Sequence, residues 1–109
     1  MVLLAFAGCH RGPAIYEPTE NPREVVVNAE KFVNQVAKKS KHYSAEDWQV
    51  AVEQFVVMSK NYVENLPNLT AEEQMRFDNA RVQFMGSVSA NGTLEIAGQV
   101  KDAYSRMVQ

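Results

Sequence analysis

Apolar residues along the 109-residue chain recur at helical spacing in four blocks, with polar breaks between them. The first block aligns Val25, Ala29, Phe32, Val33, Val36 and Ala37. The second aligns Trp48, Ala51, Val52, Phe55, Val56, Ser59 and Tyr62. The third sets Phe77, Ala80, Phe84 and Val88 on one face, with Met75, Val82 and Met85 beside it. The fourth holds two overlapping stripes, Ile96, Val100, Ala103 and Met107, and Ala97, Val100, Tyr104 and Met107 or Val108. Residues three or four apart lie on the same side of a helix, so each block predicts a helix with one apolar face.

The breaks carry start and stop chemistry. Asn21-Pro22 opens the first helix: asparagine caps well, and proline suits the first helical position because its missing N–H would go unpaired there. Glu24 complements the helix dipole at that end. Lys38, Lys39 and Lys41 close the helix, as a solvated last turn or as a patch for lipid headgroups or an acidic partner. Tyr43-Ser44-Ala45-Glu46-Asp47-Trp48 starts the second helix, with Ser44 and Asp47 forming a capping box and Tyr43 and Trp48 a hydrophobic staple. That helix ends near Leu66, because Pro67 disfavours helical geometry in the residue before it. Thr70 and Glu73 form the capping box of the third helix, which Gly86 weakens locally. Residues 88–96 admit a hairpin turning at Asn91-Gly92, or a helix end there followed by a Thr93 cap. The fourth stripe, and the marginal stability of an isolated hairpin, favour the helix.

No one-sided helix is stable alone in water. The expected fold is therefore all-α, an up-and-down bundle of three to four helices with Phe32, Trp48, Phe55, Phe77 and Phe84 in the core.

The front of the chain follows a different pattern. Met1 to Gly8 are all apolar or small, a run too short to span a bilayer as a helix but suited to the apolar middle of a secretory signal. Phe6-Ala7-Gly8-Cys9 resembles the bacterial lipobox, in which small residues precede a cysteine that is lipidated and becomes the new N-terminus. Phe6 stands where leucine is usual, and no Lys or Arg precedes the run; the expectation is a start that lies further upstream. The competing reading has Val2 to Phe6 buried and Cys9 as a small core residue. Residues 10–22 hold three prolines and a glycine, which argue against helix and strand. The expected organisation is a signal-peptide remnant over 1–8, a flexible tether over 9–21 lipidated at Cys9, and a helical bundle over 22–109. No acidic run follows Cys9, which favours a periplasm-facing protein of the cell envelope.

Composition narrows the function. With 11 basic and 13 acidic residues and a net charge of -2, the chain offers no basic face for nucleic acid. One cysteine excludes an internal disulfide. The histidines are His10, in the expected tether, and His42, between two helices. His42 and Glu46 straddle a helix start, so their four-residue spacing does not form a metal pair. Capping explains Glu46/Asp47 and Glu72/Glu73, and Gly86, Gly92 and Gly98 are too scattered for a phosphate loop. No catalytic, cofactor-binding or metal-binding residue is assigned, and no cofactor is implied. Tyr16, Tyr62 and Tyr104 are candidate surface anchors, the latter two also suited to the core edge. The expectation is a non-enzymatic module, held to the membrane by its lipid, that binds an envelope protein or a small ligand. The alternative is a small envelope enzyme or an accessory subunit of one.

Phe32, Val36, Tyr43-Ser44-Ala45-Glu46-Asp47-Trp48, Ala51, Phe55, Tyr62 and Leu69-Thr70-Ala71-Glu72-Glu73 together resemble a family of small helical lipoproteins of Bacteroides-type bacteria. The likeness covers residues 30 to 77. It implies a helical fold and an envelope location, and it assigns no catalytic or binding residue.

Overall fold

All four predicted helices begin on caps read from the sequence. A computed structural model describes residues 12–107; Cys9, His10 and the apolar run 1–8 lie outside the described residues. Helix α1 spans Pro22–Lys39, α2 Ala45–Asn65, α3 Ala71–Asn91 and α4 Leu94–Met107. Short 3₁₀ turns, Ser40–His42 and Leu66–Asn68, join the first three. No strand occurs among the described residues. Asn21 accepts a hydrogen bond from the Arg23 N–H. Both capping boxes close in both directions: Ser44 with Asp47 at 3.1 and 3.0 Å, and Thr70 with Glu73 at 3.1 and 2.9 Å. Tyr43 and Trp48 meet edge to face at 5.2 Å, as a staple requires.

Of the two readings of residues 88–96, the favoured one, a helix end followed by a Thr93 cap, is what forms, and the hairpin does not. Helix α3 runs to Asn91, and Thr93 caps α4 by accepting from the Ile96 N–H at 3.1 Å. Gly92 has a φ of −91°, so the turn does not need glycine for a left-handed backbone. It needs glycine for space: a Cβ there would lie 2.8 Å from the Val88 carbonyl oxygen.

Glu30 meets Arg76, and Asn34 meets Gln83, so α1 and α3 run parallel. Phe55 of α2 faces Tyr104 of α4, and Trp48 lines one cavity with Ile96, so α2 and α4 are parallel as well. Successive helices therefore alternate up and down, yet the largest interfaces join alternate helices, α1 with α3 and α2 with α4. The shortest dimension, 18 Å, fits two helix layers. Helices α2 and α3, neighbours in the chain, meet through stacked rings: Phe55 with Phe84 at 4.7 Å and Tyr62 with Phe77 at 3.8 Å. All five predicted core aromatics are buried. Ala37, placed on the apolar face of α1 by its spacing, is exposed, and so are Met75 and Val82.

The expectation of a free tether needs correction over residues 12–21. These residues form an extended strap along α1 and α2, with Ala14 and Tyr16 buried and Ile15 and Glu17 facing out. That alternation is the two-residue period of extended chain. Pro13 and Pro18 fix their own backbone angles, so they reduce the entropy lost on docking rather than keeping the segment loose. The folded body thus takes in residues 12–21 as well as the helices. Tyr16, proposed as a surface anchor, is 2% exposed, with its ring edge-on to Phe32 at 6.3 Å.

Polar groups hold the strap in register. The Ala14 N–H donates to the Tyr43 hydroxyl at 3.1 Å, and the Tyr16 N–H to Gln54 at 2.8 Å. Asn61, 5% exposed, is the hub: its Oδ1 accepts from the Tyr16 hydroxyl at 2.6 Å and the Thr19 N–H at 3.0 Å, and its Nδ2 donates to the Thr19 carbonyl at 2.8 Å. Burial pushes the Tyr16 phenol well above the ordinary tyrosine value, since its anion would form away from water.

Three outcomes are expected. Asn61→Leu removes one buried and two part-buried hydrogen bonds, at about 1 kcal/mol each; the variant should unfold at lower denaturant and be cut faster by protease within residues 13–20, with its helical circular dichroism retained. A raised tyrosine pKa contributes stability that is complete below the unfolded value of 10.0 and lost as pH rises through the folded one. Denaturant melts should therefore weaken above about pH 10, and Tyr16→Phe should flatten that decline. Finally, Gly92→Ala should cost about 1–3 kcal/mol by its clash with Val88, whereas Gly86→Ala, with open space around it, should gain about 0.5–1 kcal/mol; thermal melts of the pair give opposite signs.

Candidate functional site

The strap covers the α1/α2 side of the bundle, and an apolar opening lies elsewhere, between α3 and α4. Helix α4 begins one tight turn after α3 and then leans on α2, so the two helices part as they leave the turn. The resulting groove has a volume of about 420 Å³. Buried Phe55 and Val100 form its floor, Val82 and Met85 one wall, and Tyr104 the other, with Lys101 and Ser105 at the rim. Val82 is 59% exposed, so this wall presents apolar surface to water.

Arg81 crosses the groove. Its guanidinium carbon lies 4.4 Å from the centre of the Tyr104 ring, within range of a cation–π interaction. Its Nε is buried and has no hydrogen-bond acceptor. The ion pairs among the described residues join Arg23 to Glu73, Arg76 to Glu30 and Arg106 to Asp102; Arg81 and Lys101 are in none of them. Burial raises the nearby Tyr62 hydroxyl, Asp78 and Tyr104 add to the rise, and Arg81 opposes it. The groove can shelter an aliphatic body and oppose one negative charge.

A second opening, about 220 Å³, lies at the end of the bundle where α3 turns into α4. Tyr43, Trp48, Gln49, Asn91, Glu95 and Ile96 line much of it, and the buried Trp48 Nε1 has no acceptor. A third, about 360 Å³ and more polar, lies between the strap and α1.

The residues weighed in the sequence are dispersed. His42 is exposed in the turn after α1, and no group of three potential metal ligands forms among the described residues. Asp47 and Glu73 are engaged as caps. The Thr70 backbone N–H, with help from Arg23, holds the Glu73 carboxyl below its usual range. Lys38 and Lys41 are exposed, and Lys39 donates to the Gly12 carbonyl at 3.5 Å. Tyr62 is buried against Phe77, whereas Tyr104 is half-buried in the groove. Arg81 and Lys101 escaped sequence reasoning. The available signal was the surplus of apolar residues on α3: Val82 and Met85 flank a face that Phe77, Ala80, Phe84 and Val88 already complete.

No family model, no curated protein and no solved structure matches the chain.

Proposed function

We propose that this chain is a lipid-anchored, non-enzymatic binding module of the cell envelope, facing the periplasm, which offers the groove between α3 and α4 to an envelope partner or a small ligand. The observation that carries the reading is Ala7-Gly8-Cys9 standing three residues before a docked strap. The Gly12 carbonyl lies 3.5 Å from Lys39 Nζ at the C-terminal end of α1, and Cys9 lies three residues earlier in sequence. Three residues reach about 10 Å at most. Lipid on Cys9 would therefore hold that end of the bundle near the bilayer, with the groove on a flank the strap does not cover. A single acyl chain attaches only reversibly, and several on one cysteine make the attachment lasting. The resemblance of residues 30–77 to small envelope lipoproteins supports the same location.

Mass spectrometry of the protein extracted from native membranes tests the anchor. The expected N-terminal peptide begins at Cys9 and carries the mass of attached acyl chains. Recovery of an unmodified Cys9 still joined to residues 1–8 overturns the reading.

A further inference from the structure

The groove between α3 and α4 combines features that select among ligands. Its walls are apolar and partly open to water, and its volume of about 420 Å³ suits a small molecule. Arg81 and Lys101 put two cationic side chains on it. Arginine stays charged at any physiological pH, and a buried N–H without an acceptor is costly. Asp78, three residues before Arg81 on α3, forms no ion pair with it, and Asp102, next to Lys101, is engaged by Arg106. Among the described residues, no carboxylate pairs with either cation.

We propose that the groove binds a single-chain anionic amphiphile, an aliphatic tail ending in a carboxylate. The tail lies along Val82 and Met85, above the buried Phe55 and Val100, and the carboxylate meets the Arg81 guanidinium with Lys101 nearby. This ligand class rests on the reading of the chain as a binding module. A thin chain fits better than a partner helix, because Arg81 of α3 reaches Tyr104 of α4 and bridges the opening that a helix about 10 Å across would need clear.

The test titrates the full chain with decanoate, decanol and decyltrimethylammonium, each below its micelle threshold, by calorimetry and by NMR of the methionine methyls. Decanoate is expected to bind saturably at one site and to shift the Met85 methyl, and decyltrimethylammonium to leave it unmoved. Arg81→Gln should weaken decanoate about tenfold. Val82→Asp, at an exposed position, should abolish binding by placing a carboxylate in the wall. Lys101→Gln, on an exposed rim residue, gives a smaller loss and serves if Arg81→Gln melts early. Equal binding of all three tails, binding indifferent to both cation variants, or a silent Met85 methyl each overturns the proposal. A photocrosslinker at position 82 separates the two readings. If it captures one envelope protein while decanoate fails to bind, the ligand class falls and the module stands; if neither binds, both fall.

Discussion

One column of aromatic rings joins the strap and all four helices. Tyr16 of the strap meets Phe32 of α1; Phe32 stacks on Phe84 of α3 at 5.8 Å; Phe84 stacks on Phe55 of α2; Phe55 faces Tyr104 of α4 at 6.4 Å. Each helix is apolar on one side only and has to bury that side against the others. Large flat rings satisfy this need across a gap that aliphatic side chains would not bridge, which is why α2 and α3 meet through ring faces. Each favourable pair adds about 0.5–1.5 kcal/mol beyond the area it buries.

The two ends of the column differ. At Tyr16 it is sealed: the ring is buried, the hydroxyl donates to Asn61, and Asn61 also pins the Thr19 backbone. A buried amide is costly unless its partners are fixed, and here the strap supplies them all. The polar hub therefore works as a register mark, since sliding the strap by one residue would turn Ala14 and Tyr16 outward and leave Asn61 unpaired. At Tyr104 the column is open. That ring is shared between Phe55 inside and the Arg81 guanidinium outside. Stability and the candidate site thus meet in one side chain.

The candidate site was the least legible part in sequence. Histidines, carboxylate pairs and the lysine cluster attract attention because of their chemistry, and the fold leaves them exposed or uses them as caps. Arg81 looks ordinary, one basic residue on a mixed helix. Its position matters because α4 places Tyr104 beneath it and no carboxylate pairs with it. Such a property belongs to the relation between two helices and is written in neither.

What the sequence by itself determined is local. Ser44 with Asp47, Thr70 with Glu73 and Asn21 with Pro22 specify where helices begin, because each cap satisfies backbone groups within one turn. The stripes specify which faces are buried, including all five core aromatics. Only the tertiary structure decided which faces meet, that alternate helices share the largest interfaces, that residues 12–21 dock, and that a groove stays open between α3 and α4. The physical reason is range. Caps and stripes act over three or four residues, whereas Tyr16 with Asn61 and Arg81 with Tyr104 become partners only after the intervening chain has folded and brought them together.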